Sequence, residues 1–341
     1  MFFHTCAVLA FFLGLVALPE RGVAQVIVEK PSGVSSVEQV PTAIPSPPSL
    51  RGEAATPRER EGKARSIRPK FLPGQTYRFV TRTELGTSLG GMGKVFVEQQ
   101  IRLDAGVRLD GKEGDAVKAR SERLDVQMHS GDRTISYHSL QPEVRSTLVG
   151  RHFEATLYRS VDFTLNEDLR VVAAVEGGRE GPATSLAGLP QFGPDELKQL
   201  MGTIPQGFPA KSVYVGDTWT LQGTRRVGSV GSLTFEVTYQ FIGPVIFEEN
   251  QCLGIEFSGR LHGEVSLPAP EKPAAGGQFA GLESQTMTGR LLFDPLDEML
   301  RFSEQHISLR IAIPGPEESE PQLVPVEETT TIRLLHVVPT S

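Results

Sequence analysis

From residue 76 to the end of the chain, apolar and polar side chains keep alternating. Residues 76–83 read Thr-Tyr-Arg-Phe-Val-Thr-Arg-Thr, and residues 94–103 repeat the texture around Val95, Val97, Ile101 and Leu103. A period of two puts one set of side chains on a core and the other in water, which is the signature of a half-buried β-strand. Further candidates are residues 153–165, 170–175, 217–223, 233–242, 254–265, 289–293, 299–313 and 327–338. Turn chemistry separates the runs at Asp110-Gly111 and at Ser130-Gly131-Asp132. A two-residue hairpin closed at residues 131–132 would set His129 opposite Thr134 and His138 opposite Asp125. So many strands with short connections give a mainly β, antiparallel fold, either a sandwich or a curled sheet approaching a barrel.

One helix interrupts the strands. In Gly193-Pro194-Asp195-Glu196-Leu197-Lys198-Gln199-Leu200-Met201-Gly202, proline suits the first helical position and acids fill the first turn. Leu197, Leu200 and Met201 share one face. This short helix, near residues 194–201, either caps the end of the sheet or forms a lid over a cavity. Gly/Pro-rich loops are expected at residues 176–192, 268–284 and 314–325.

Two pairs of matches suggest tandem β-meander halves over residues 70–176 and 212–339. Gly74-Gln75-Thr76-Tyr77 parallels Gly216-Asp217-Thr218-Trp219. Later, Phe163 followed by Leu169-Arg170-Val171 parallels Phe293 followed by Leu300-Arg301-Phe302.

Ahead of the strands lie two segments of another kind. Residues 6–18 form an apolar run broken by Pro19 and followed by Gly22-Val23-Ala24. That run is short for a membrane span but suits a secretory signal peptide, 1–24, cleaved after Ala24. An uncleaved N-terminal anchor is the alternative; after cleavage no stable span is expected. Residues 25–69 contain seven prolines (31, 41, 45, 47, 48, 57 and 69) with Ser, Glu and Arg between, and read as a disordered spacer. The globular region is then 70–339, and the expected location is periplasmic or extracellular.

The net charge of −7 argues against a nucleic-acid partner, which calls for a basic face. Only Cys252 survives signal cleavage, so no internal disulfide is available, and the residue reads as a small apolar strand position. The chain has no phosphate loop or dinucleotide fingerprint. Gly86 to Lys94 is glycine-rich, but it joins two strands and lacks a helix N-terminus to hold phosphate. His129 and His138 would not meet across their hairpin, and Asp294, Asp297 and Glu298 lack the glycine and distant Glu of a calcium loop. The alternating Glu236, Glu256 and Glu264 fit a solvated strand face. No cofactor or metal site is expected, and an enzyme is the less favoured class.

The segments Phe71-Leu72-Pro73-Gly74-Gln75-Thr76-Tyr77, Val215-Gly216-Asp217-Thr218-Trp219 and Leu292-Phe293-Asp294 resemble an uncharacterised family of exported bacterial β-rich proteins, marked by Gly-x-x-Tyr and Val-Gly-Asp-x-Trp. The resemblance spans residues 70–339, implies no activity or catalytic residues, and leaves the proline-rich spacer outside the pattern. The first expectation is a non-enzymatic binding or carrier module for an apolar or amphipathic ligand in the cell envelope. Leu197, Leu200, Met201, Trp219 and Phe235 would line its cavity, with Asp217 at the mouth. The alternatives are a structural or protein-interaction domain that contacts an envelope protein, and an extracytoplasmic hydrolase.

Overall fold

A computed structural model describes residues 63–87, 92–106, 115–141, 143, 147–157, 159–178, 194–227, 231–262, 264–266, 279–313 and 321–340. The expected signal peptide and all of the expected spacer before residue 63 lie outside the described residues, as does most of each expected loop.

The alternation resolves into one antiparallel sheet. Its strands are β1 (Gln75–Thr87), β2 (Met92–Gly106), β3 (Asp115–Ser130), β4 (Arg133–His138), β5 (Arg159–Leu165), β6 (Val171–Gly178), β7 (Thr218–Val227), β8 (Gly231–Phe247), β9 (Asn250–His262), β10 (Glu264–Ser266), β11 (Phe279–Asp294), β12 (Met299–Ile313) and β13 (Gln322–Pro339). Two helices join them, α1 (Leu148–Leu157) and α2 (Pro194–Thr203). The strand order is β6-β5-β3-β2-β1-β13-β12-β11-β9-β8-β7, with β4 on β3 and β10 on β11. Among the described residues the sheet is curled and does not close: β6 and β7 are its edges, and no second sheet stacks on it as in a sandwich.

Register explains the curl. On one face, polar groups meet across strands: Arg82 donates to Glu98 at 2.6 Å, Arg290 to Glu304 at 3.1 Å, and Ser308 to Glu327 at 2.6 Å. On the other face, Tyr77 pairs with Leu103, Phe79 with Ile101, and Leu85 with Val95, all buried. Two ten-residue helices cannot cover the apolar face of eleven ladder-paired strands. The sheet therefore bends around that face, and its side chains form one continuous cluster.

Several elements differ from expectation for identifiable reasons. The hairpin β3–β4 has the expected register, His129 opposite Thr134 and Asp125 opposite His138. Residues 153–157, read as strand, close α1 instead. The Thr147 hydroxyl caps that helix by accepting the Gly150 N–H at 2.9 Å, and Phe153 packs on Tyr137 with centroids 5.2 Å apart. Residues 63–69, assigned to the spacer, belong to the packed body: Arg65 bridges Val213, and Ile67 is buried. β11 begins at Phe279 and β13 at Gln322, inside stretches expected to be loop.

Of the two sets of sequence matches, the first occupies similar places, while in the second Leu169 lies in the turn before β6 and Leu300 lies within β12. β1 and β7 each open behind a glycine with positive φ, Gly74 at 79° and Gly216 at 90°. Tyr77 and Trp219 both face the concave side, and the Phe163 and Phe293 matches both join β5 to β6 and β11 to β12. Along the sheet β6-β5-β3-β2-β1 is followed by β12-β11-β9-β8-β7, with β13 between them.

Candidate functional site

The concave face changes character along the strands. At one end it is filled. Phe71 stacks edge-on against Tyr77 with centroids 5.2 Å apart, and the Tyr77 hydroxyl accepts the Leu72 N–H at 2.7 Å. Beneath β11, Phe208 packs against Phe293 at 5.8 Å. Leu197, Leu200 and Met201 of α2 are buried, and α2 packs on β3, β5 and β6. These pieces form a floor: Tyr77, Phe79 and Leu103 are 0 % exposed.

Toward the other end the same face retains residual exposure. Val95 is 6 %, Met128 8 % and Phe257 7 % exposed, and Ile135, Leu221 and Phe235 are only half-buried. We call this end the mouth.

The mouth has two unlike walls. On β7, β8 and β9 the wall is aromatic. Trp219 stacks on Tyr239 (5.9 Å, 10°), and Tyr239 meets Phe257 at 5.3 Å. The rings lie flat because glycines sit beneath them. Gly223 lies under Phe235, Gly289 under Phe257 and Gly207 beside Tyr239; a Cβ at each would come within 2.6, 2.4 and 2.4 Å of the ring. The Trp219 indole N–H donates to the Gly207 carbonyl at 3.2 Å, which fixes the ring and satisfies its only donor.

On β1, β13 and β12 the wall carries a polar stripe. Thr83 pairs with Thr330, and Thr330 with Gln305, all half-buried on the concave face. One step toward the mouth, Glu328 lies between Leu85 and Ile307, 7 % exposed. Its carboxylate accepts the Thr330 hydroxyl at 3.2 Å. Farther along, Gln99 donates to the Ser121 hydroxyl inside the core.

The residues singled out from the sequence separate into three groups. Leu197, Leu200 and Met201 lie in α2 against the first-half strands. Trp219 and Phe235 lie on the aromatic wall, at the other end of the strand order. Asp217 sits in the turn before β7: its carboxylate accepts the Tyr214 N–H at 3.0 Å, and its carbonyl accepts the Phe241 N–H at 3.0 Å. The structure brings Trp219 and Phe235 onto one wall and gives Asp217 the work of closing a turn. Glu328, Thr330 and Gln305 escaped sequence reading. The available signal was parity: residues 324, 326, 328, 330, 332 and 334 alternate in step, and four of them are Val or an aliphatic neighbour.

Other chemistry is sparse. Asp294 accepts the Leu296 N–H at 2.9 Å and shapes the turn between β11 and β12. Among the described residues no three His, Cys, Asp or Glu side chains gather as a metal site, and no helix is long and apolar enough to cross a membrane. Cys252 is fully buried on β9, and burial, with a smaller push from Asp294, raises its thiol pKa to about 11. The reactive thiolate is therefore scarce at neutral pH. In the folded protein at pH 8, Cys252 is expected to resist iodoacetamide and to alkylate readily in denaturant; mass analysis of its peptide checks this, and rapid native labelling would contradict the burial.

No family model matches this chain, and no curated protein matches it. Among solved structures, a chain described as "lipid-protein interactions in lipovitellin" superposes with a TM-score of 0.43 at 9 % identity, over 80 % of this chain and 26 % of that one. This chain thus spans about a quarter of the length of that structure.

Proposed function

We propose that this protein is an exported, non-enzymatic carrier that holds an apolar or amphipathic molecule in the mouth of its curled sheet, outside the cytoplasmic membrane. One observation supports the reading: at one end of the concave face Trp219, Leu221, Phe235 and Ile135 stay half-buried beside covered neighbours such as Leu85 and Val237. Interiors lined mainly by apolar and aromatic groups, with a few polar ones, suit small apolar ligands. The expectation of export rests on residues 1–24, and placement in the cell envelope follows from it.

Trp219 is the only tryptophan of the chain and stands in the proposed wall. Its emission should report occupancy directly. A bromine-labelled long-chain alcohol is expected to quench Trp219 saturably, at micromolar concentration. Native mass spectrometry of protein purified from the exported fraction should show a discrete added mass that mild organic extraction removes. A clean apo mass together with no saturable quenching would overturn the carrier reading and favour an envelope interaction domain.

A further inference from the structure

We propose that Glu328 recognises a cationic head group, so that the preferred ligand is an amphipathic molecule with an ammonium or similar donor at its polar end; this rests on the carrier reading above. Glu328 is 7 % exposed, and its direct cross-strand neighbours are Leu85 and Ile307. An ionised carboxylate offers about four lone-pair sites. Among the described residues it receives one hydrogen bond, from Thr330 at 3.2 Å, and no ion-pair partner. A buried carboxylate with so little compensation is costly to hold. Elsewhere this protein pairs its acids across the sheet: Glu98 with Arg82, Glu304 with Arg290, Glu248 with Arg333 at 2.8 Å. All of those lie off the concave face, whereas Glu328 faces inward with no ion-pair partner among the described residues.

Its surroundings favour a donor over an acceptor. Thr83 and Thr330 approach at 3.5 Å, Gln305 lies opposite Thr330, and none of these carries charge. A fatty-acid carboxylate here would meet Glu328 with no cation between them, a repulsive pairing in a poorly solvated site. An ammonium would complete the carboxylate's hydrogen bonding while its alkyl chain runs along Ile307, Met287 and the aromatic wall. Stability given up at such a position is a common trade for function.

The test compares three probes of equal chain length on the purified protein: dodecylammonium, dodecanol and dodecanoate, each below its micelle concentration, by displacement of a fluorescent apolar dye. Dodecylammonium is expected to bind at least about tenfold tighter than dodecanoate. Glu328→Gln should bring the two within about twofold. Glu328→Met should also remove the preference and raise the melting temperature by a few degrees, since an apolar residue replaces an uncompensated acid. Dodecanoate binding as tightly as dodecylammonium to the unsubstituted protein, a comparison that needs no variant, would overturn the head-group assignment. Binding of all three alike would leave the carrier standing without it, and binding of none would remove both. A tenfold preference that persists in Glu328→Gln would place the recognising group elsewhere and equally overturn the proposal.

Discussion

Truncating Phe79 to alanine should destabilise the protein by about 3–5 kcal/mol, the range found for buried aromatic-to-alanine changes. Phe79 is 0 % exposed on the floor, directly opposite Ile101 on β2 and Leu334 on β13. Neither neighbour can collapse into the space without breaking a ladder that the rest of the sheet holds in register. The loss is therefore the transfer of the ring plus the cavity left behind. Met128 makes the instructive contrast. It shares the concave face, opposite Val95 and Ile135, but at the mouth, where solvent reaches the interior. Water can fill what Met128→Ala removes, so the cavity contribution falls away and about 1–2 kcal/mol of lost burial remains. Urea unfolding followed by far-ultraviolet circular dichroism measures both. Equal losses would mean an interior packed alike from end to end, and the mouth would not exist.

The same distinction shows what the sequence made legible. Strand identity was readable wherever one face is buried and the other wet, because burial forces a period of two. The hairpin of β3 and β4 was readable to the residue, since Gly131 at the turn sets the pairing of His129 with Thr134. α2 was readable from Pro194 and its Leu197, Leu200 and Met201 stripe. α1 was not: Val149, His152, Phe153 and Thr156 are weak helix formers that suit strands equally. What makes α1 a helix is the Thr147 cap and the packing of Phe153 on Tyr137, and the latter is a tertiary contact.

The candidate site was legible only on its aromatic side. Trp219 and Phe235 announce themselves by size. Glu328 and Thr330 sit in Glu327-Glu328-Thr329-Thr330-Thr331, a run in which both faces are polar and alternation vanishes. Only the parity of Val324, Val326, Ile332 and Leu334 on either side of the run, and pairing with Leu85 and Ile307, reveal which of those side chains turn inward. A one-residue slip would send Glu327 inside instead, and no local feature of the run forbids it. Floor and mouth are likewise invisible along the chain, because segments 65–71 and 204–213 reach the concave face from distant positions in the sequence.

Gly289 separates the sheet's backbone demands from those of the ligand wall. Replacing a strand glycine by alanine commonly stabilises a protein by about 0.4–1 kcal/mol through the unfolded chain. At Gly86, where a Cβ would meet nothing within 4 Å, that gain is expected. At Gly289 the sign reverses. Its Cβ would come within 2.1 Å of the Glu304 carbonyl oxygen on β12 and 2.4 Å of the Phe257 ring on β9. The ring could swing away, but the carbonyl belongs to the neighbouring strand and moves only if β11 and β12 part. Gly289→Ala should therefore cost about 2–3 kcal/mol, the upper range for overpacking. Displacing Phe257 also unseats Tyr239, and through it the stacked Trp219. A shift in Trp219 emission should then accompany the loss of stability, and the bromine-labelled alcohol should quench more weakly in the still-folded variant. Gly86→Ala should leave emission and quenching untouched. If Gly289→Ala matched Gly86→Ala in stability and emission, the flat aromatic wall would not depend on the glycine beneath it, and the geometry assigned to the mouth would be wrong.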